Sequence, residues 1–172
     1  MPRLLIALCC LVSLCLSGCS DSSSSSASSD PPSPSSSSPS PSPTEQPETP
    51  EAFVRRWVEL ANQLGRDGNP APLLEASHRC DDCTSIATGV AEIYAGGGWI
   101  RGGDWRLVGA IELEDHGPRV TCNFRLAVEA GRYKASEDSP IQDTPGGTAT
   151  IRATITKVGG AFKMNEFVRL AQ

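Results

Sequence analysis

The sequence lacks an apolar run long enough to cross a lipid bilayer. Its clearest apolar run, from Leu4 to Leu16, has 13 residues, whereas a membrane-spanning helix needs ~20. A run of this length is typical of the core of a signal peptide. Nothing after Cys19 supplies a stop-transfer segment. The sequence therefore predicts no transmembrane helix.

The sequence also lacks an excess of positive charge. Its formal net charge is −5, and it falls to −6 once residues 1–18, with one Arg and no acid, are removed. Nucleic acids and anionic lipid headgroups are bound by proteins with a positive balance. The composition therefore argues against both as partners.

Residues 16–19, Leu-Ser-Gly-Cys, directly follow the apolar run. They resemble the lipobox of bacterial lipoproteins, in which the Cys is acylated and becomes the mature N-terminus. The resemblance implies a signal peptide over residues 1–18 and acyl chains such as palmitate on Cys19. Two acyl chains anchor a protein stably. We therefore expect a lipid-anchored protein at the extracytoplasmic face of the cell membrane; the alternatives are an ordinary secretory signal and a membrane helix.

Residues 19–47 are dominated by Ser and Pro. Such a segment cannot bury enough apolar surface to offset its ordering entropy, so we predict a disordered linker. Pro-rich chains are extended, so this linker would act as a spacer above the membrane. Residues 48–172 then have the usual size of one domain.

Three helices are predicted at the start of this domain. Thr49 is a favoured N-cap and Pro50 a favoured first helical residue. The apolar stripe of this helix is Phe53, Trp57, Leu60, Ala61 and Leu64. A short helix follows Pro70, and a third, capped by Asp82, ends at glycines 96–98. The third helix carries the stripe Ile86, Val90, Ile93 and Tyr94.

After these glycines, apolar and polar residues alternate with the period of a β-strand. Strands are predicted over residues 105–113, 120–128, 148–157 and 162–170. Residues 130–147 are polar and contain Pro and Gly, so they are predicted to form a long loop. Helices followed by antiparallel strands predict an α+β fold, because each apolar face needs the other to cover it.

Four short segments carry a further resemblance: PEAFV at 50–54, CDDC at 80–83, YAGGG at 94–98 and GGDW at 102–105. They resemble an actinobacterial family of lipoproteins of unknown function. The order of helices and long strands is similar to the nuclear transport factor 2-like cone fold. The resemblance implies a cone with a pocket between helices and curved sheet. In that superfamily the cone serves isomerases, dehydratases and binding domains, so the fold does not determine the function.

Cys80 and Cys83 are the sharpest candidates for chemistry. Outside the cell membrane such a pair tends to oxidise, which favours a structural disulfide between the second and third helices. A redox role is an alternative, because a helix N-terminus lowers the pKa of a thiol, although Asp81 and Asp82 disfavour a thiolate. A metal site with His78 is another, but no second His or Cys cluster completes a tetrahedral set.

The remaining reactive residues favour structural interpretations. Cys122 lies on the apolar side of its strand and is predicted to be a buried small hydrophobe. His116 lies in a predicted turn, where we expect exposure. Asp104, Glu112 and Glu114 lie on or near the first strand, where acids usually form a solvated face. We therefore assign no catalytic residue, metal or cofactor.

Four aromatic residues are candidates for lining a ligand cavity inside the cone: Trp57, Tyr94, Trp99 and Trp105. The alternative for each is an ordinary place in the core. Trp99 differs from the others because glycines flank it on both sides, as a contact at a pocket rim would require.

Together these observations predict a non-enzymatic binding or interaction domain anchored at the cell envelope. The expected partner is a small apolar ligand, a cell-wall component or another envelope protein. The alternatives are a small pocket enzyme of the isomerase or dehydratase type, and a thiol–disulfide protein that uses Cys80 and Cys83.

Overall fold

The computed structural model describes residues 47–171. The predicted signal peptide (1–18), the acylation site Cys19 and the predicted linker except Pro47 lie outside the described residues. Within the described part of the chain, no helix has both the length and the hydrophobicity needed to cross a membrane. All of its buried apolar residues lie between Phe53 and Phe167, and the described residues belong to one compact unit, assigned to the segment 44–172. This segment, the domain fragment, therefore contains a complete core of its own.

Three helices open the domain: α1 (Pro50–Asp67), α2 (Ala71–Glu75) and α3 (Asp81–Ala95). The start of α1 is as predicted, since the side chain of Thr49 accepts a hydrogen bond from the backbone N–H of Ala52 at 3.2 Å. The helix ends at Gly68, whose φ of 71° lies in the left-handed region that glycine tolerates.

The prediction that Asp82 caps α3 is wrong. The N-cap is Cys80, whose Sγ accepts a hydrogen bond from the N–H of Cys83 at 3.2 Å. Asp81 and Asp82 instead occupy the first turn of α3, where the helix dipole favours negative charge.

Seven strands follow: β1 (Trp99–Gly102), β2 (Trp105–Asp115), β3 (Arg119–Val128), β4 (Gly131–Lys134), β5 (Ile141–Thr144), β6 (Gly147–Val158) and β7 (Ala161–Arg169). They form two antiparallel sheets, a large one in the order β2-β3-β6-β7 and a small one in the order β1-β4-β5. Register shifts interrupt the pairing of β2 with β3 and of β6 with β7. Such bulges bend and twist a strand, which curves the large sheet.

The prediction of a long loop over residues 130–147 is wrong, because β4 and β5 form a hairpin inside it. Each of these strands has only four residues, which is too short to display a period of two. Backbone pairing with β1 therefore determines this part of the fold, rather than a hydrophobic pattern.

The helices pack on one face of the large sheet and share its core. Phe167 of β7 is the centre of an aromatic cluster: its ring centroid lies 4.7 Å from Trp57, 5.6 Å from Trp105 and 6.4 Å from Phe124. Trp57 is 0% exposed. The predicted α+β class, with helices before an antiparallel curved sheet, is confirmed.

Candidate ligand-binding cavity

A cavity of about 490 Å³ lies between α1, α3 and the small sheet. Its volume falls within the ~300–1,000 Å³ of small-molecule sites. Eight apolar side chains line it: Ala61, Leu64, Ile86, Val90, Ile93, Ile100, Trp105 and Val128. The apolar stripe of α3 therefore faces a cavity along much of its length, instead of being closed off by the large sheet.

Two glycines in the helices keep this cavity open. Gly65 of α1 and Gly89 of α3 both line it, and a Cβ built at either position meets no atom within 4 Å. Glycine destabilises a helix interior by about 0.5–1 kcal/mol relative to Ala. Gly65 is half-buried and Gly89 is exposed, so both positions border the cavity, and larger side chains there would narrow it.

Asn62 of α1 positions the aromatic wall of the cavity. Its Nδ2 donates a hydrogen bond to the carbonyl of Trp105 at 2.9 Å, and its Oδ1 accepts one from the N–H of Trp105 at 2.7 Å. The side chain thus pairs with the backbone as a neighbouring strand would, at the start of β2. It holds the Trp105 ring between the cavity and Phe167, on which that ring stacks with an interplanar angle of 8°.

A second cleft of about 410 Å³ lies between α3 and the large sheet. It shares Ile86, Trp105 and Val128 with the cavity as walls. The second cleft reaches Asp82 and Arg169. Two neighbouring spaces with mostly apolar walls therefore lie alongside α3.

Of the four predicted ligand-binding aromatics, Trp105 lines the cavity and Trp57 lies behind it in the core. The hydroxyl group of Tyr94 lies 2.7 Å from the carbonyl oxygen of Gly65 and 3.1 Å from that of Arg66, and its single proton is shared between the two acceptors. It therefore satisfies backbone carbonyls at the end of α1. Ligand contact by Trp105 stays a prediction.

The fourth aromatic residue, Trp99, lies on the small sheet and not in the wall of the cavity. The guanidinium of Arg101 stands 4.5 Å from the centre of its ring. The segment around Trp99, for which the sequence predicts no strand, forms β1, and all four residues of β1 pair with β4.

Cys80 and Cys83 form the predicted disulfide. Both are buried, at 3% and 0% exposure. The preceding loop is fixed to β7, since the N–H of His78 donates to the carbonyl of Met164 at 2.8 Å and Asn165 donates to the carbonyl of His78 at 2.8 Å. The disulfide therefore joins the N-cap of α3 to its first turn, next to a loop that is hydrogen-bonded to the large sheet. Between residues 47 and 171, no three potential metal ligands cluster closely enough to hold an ion.

Charged groups near the cavity are few. Asp104 lines it, but its side chain is 47% exposed and lies 3.4 Å from Arg66. Glu112 and Glu114 are exposed on β2, and Glu114 lies 3.7 Å from the exposed His116. In the described part of the chain, the wall of the cavity contains neither His nor Cys.

Cys122 is a free thiol that is fully buried on β3. Burial, and to a smaller extent the Glu51 carboxylate, raise the pKa of Cys122 from its ordinary value of 9.0 to about 11. The prediction that this residue is a buried small hydrophobe agrees with its position.

The raised pKa of Cys122 gives a prediction for alkaline stability. Above pH 9 the unfolded chain loses the thiol proton while the folded chain keeps it. The free energy of unfolding should therefore fall between about pH 9 and pH 11, by roughly 2–3 kcal/mol. Urea unfolding of the domain fragment at several pH values measures this slope. Cys122→Ala should remove this contribution, whereas parallel profiles for the two proteins would contradict the assignment.

No protein-family model matches the chain, and no curated protein does so significantly. Solved structures do match. The intermembrane space region of the chloroplast protein ARC6 has 16% identity and a TM-score of 0.52, over 76% of this chain and 100% of that one. Aln2 from a Streptomyces species has 13% identity and a TM-score of 0.45, over 70% and 90% of the two chains.

An NTF2-like protein with a cystatin-like fold from Novosphingobium aromaticivorans also matches, with 12% identity and a TM-score of 0.43, over 69% of this chain and 79% of that one. Likenesses at these identities concern the fold alone. The domain has the predicted α+β fold, with helices before a curved antiparallel sheet, and a protein described as NTF2-like is among those that it resembles in fold. The resemblance to an actinobacterial lipoprotein family stays a prediction.

Proposed function

We propose that this chain is a lipoprotein, anchored by an acylated Cys19 at the extracytoplasmic face of the cell membrane. Its folded domain binds a small apolar ligand and catalyses no reaction. The observation that carries the binding proposal is the cavity of about 490 Å³ beside α3. If the domain binds no small apolar ligand, the proposed partner at the membrane surface is a cell-wall component or another envelope protein.

The chemistry of the cavity wall supports an apolar ligand. Its aliphatic residues come from α1, α3 and the small sheet, together with Val128 of the large sheet, and Trp105 adds an aromatic surface. Burial of apolar surface contributes about 25 cal/mol per Å², so a ligand of modest size would gain several kcal/mol there. The polar groups of Asn62 are already paired with the backbone of Trp105, and a ligand need not compete for them.

The environments of Asp104 in the cavity wall and of the disulfide cysteines Cys80 and Cys83 support binding over catalysis. A pocket isomerase or dehydratase needs a base enclosed by its cavity. Asp104 is the acid in the described wall, and its half-exposed carboxylate is already paired with Arg66. Thiol–disulfide exchange requires a thiolate to reach a sulfur atom, and the burial of Cys80 and Cys83 opposes that access.

Filling the cavity tests the binding proposal. Gly89→Phe places an aromatic ring in the empty space beside α3, and it should abolish binding of the neutral fluorophore N-phenyl-1-naphthylamine to the domain fragment. The fluorophore emits more strongly in apolar surroundings, so a fluorescence titration measures its affinity. Gly65→Leu, from the opposite helix, should weaken binding in the same way.

Thr88→Phe is the matched control, because Thr88 is an exposed residue of α3 that lines neither the cavity nor the second cleft. It should bind the fluorophore as the wild type does. Circular dichroism confirms that each variant is folded. Absence of saturable binding to the wild type, or unchanged binding to both cavity variants, would overturn the proposal.

The anchor is tested on the full-length chain. Expressed in a bacterium that modifies lipoproteins, the wild type should fractionate with the membrane, and its mass should show acyl chains on Cys19. Cys19→Ala should move the protein to the soluble fraction, because the two acyl chains supply the attachment. Unchanged membrane fractionation of Cys19→Ala would remove the anchor from the account.

A further inference from the structure

A positively charged cleft adjoins the apolar cavity. It has a volume of about 610 Å³ and shares Gly102, Arg132 and Thr144 with the cavity wall. Arg101 and Asp143 also line it. Successive residues of a strand point to opposite faces, so the Arg132 side chain lies on the face of Arg101, and the cavity-lining Ile100 and Tyr133 lie on the other face. The two spaces meet around Gly102 and Thr144, at the end of the small sheet.

The pairing of the small sheet brings the two arginines together. Arg101 of β1 lies directly opposite Arg132 of β4, and Arg132 lies opposite Asp143 of β5. Residues directly opposite each other project from the same face of a sheet, and like charges in such a pair are destabilising. Among residues 47–171, neither arginine has a carboxylate oxygen within 4.0 Å. Both arginines are exposed, so water and salt screen much of this repulsion. Both guanidinium groups are therefore accessible to an anion from solution.

The Arg101 side chain is held in place by an aromatic neighbour. Its guanidinium lies over the ring of Trp99 at 4.5 Å, a cation–π contact. Asp143 is the acid of the cleft, so two positive charges face one negative charge. An anion placed between the arginines would relieve the repulsion and form charge-assisted hydrogen bonds.

We propose that the ligand is a single-chain amphiphile with an anionic head. This inference rests on the proposed function and specifies its ligand class. The apolar chain lies in the cavity beside α3, and the anionic head lies between Arg101 and Arg132. The cavity of about 490 Å³ lies in the size range of small-molecule sites, and its apolar walls suit an alkyl chain.

The test compares cis-parinaric acid with its methyl ester, which carries the same fluorescent chain without the charge. The domain fragment should bind the acid about tenfold more tightly than the ester, a difference of about 1.4 kcal/mol, because the exposed arginines hydrogen-bond the carboxylate of the acid and have no charged group to bind on the ester. Arg132→Gln and Arg101→Gln should each remove most of this difference and leave binding of the ester unchanged. Added salt should weaken binding of the acid more than binding of the ester.

Arg152→Gln is the control, because Arg152 is an exposed residue of β6 that lines neither space. It should leave both affinities unchanged. Displacement of the bound acid by dodecanoate and by dodecyl phosphate shows which anionic head is preferred. The inference is overturned if the acid and the ester bind equally, or if the Arg101 and Arg132 variants behave like Arg152→Gln.

Gly89→Phe separates this inference from the function on which it rests. If it abolishes binding of both probes while the arginine variants change nothing, the cavity binds apolar ligands and only the anionic head is wrong. If it leaves both probes bound, the cavity is not the binding site and both proposals fail.

Discussion

Replacing Gly98 by Ala is expected to destabilise the domain by about 3 kcal/mol or more. Gly98 joins α3 to β1, and a Cβ built there would lie within 3 Å of the Lys134 carbonyl oxygen, the Ala135 carbonyl carbon and the Ile93 carbonyl oxygen. All three atoms belong to the backbone. The clash can therefore be relieved only by moving the helix end or the small sheet.

Urea unfolding of the domain fragment measures this effect. Gly147→Ala is the control, because its Cβ would meet no atom within 4 Å, and it should change stability by less than about 1 kcal/mol. Equal effects of the two substitutions would show that Gly98 does not approach the backbone of α3 and of the end of β4 as closely as described. Because Gly98 precedes β1, which supplies Ile100 to the cavity, loss of this junction should also abolish ligand binding.

The second large effect is expected for Trp57→Ala, which should cost about 3–5 kcal/mol. The Trp57 side chain is fully buried, and its ring contacts those of Phe167 and Trp105. Its removal leaves a hole in the centre of the aromatic cluster, which the rigid backbone of the large sheet cannot fill. Loss of the long hydrogen bond from Nε1 to Ser77 Oγ, at 3.4 Å, adds little.

Trp57→Phe keeps an aromatic ring in this space and should recover much of the lost stability. Trp99→Ala is the second control, since Trp99 is only half-buried and lies on the small sheet. It should cost clearly less than Trp57→Ala. If the two alanine substitutions cost the same, Trp57 does not lie at the centre of the core.

The sequence predicts the helices well because the signals are local. Thr49 and Pro50 determine where α1 begins, and its apolar stripe predicts its buried face. The long strands are also predicted by their alternation. The short strands β1, β4 and β5 are missed, because four residues carry no readable period, and the pairing of β1 with β4 joins segments about 30 residues apart in the sequence.

The resemblance to the cone fold implies a pocket, but the residues of its wall could not be predicted, since an apolar helix face looks the same whether it meets a sheet or an empty space. The stripe of α3 is read correctly as apolar, yet Ile86, Val90 and Ile93 line the cavity. Sequence reasoning also misses Asn62, although one amide beside the stripe of α1 is a signal for a buried hydrogen-bond pair.

The charge argument from composition has a similar limit. A net charge of −5 argues against anionic partners for the whole chain. It does not reveal that Arg101 and Arg132, which are distant in sequence, become direct neighbours across β1 and β4.

The central claim is that an apolar ligand enters the cavity beside α3, and isoleucine methyl NMR of the domain fragment tests it most directly. Titration with N-phenyl-1-naphthylamine should shift the methyl resonances of Ile86, Ile93 and Ile100, which line the cavity. Those of Ile155, in the core, and of Ile141, 57% exposed on β5, should stay unchanged. Shifts confined to Ile141, or no shifts at saturating ligand, would contradict the account.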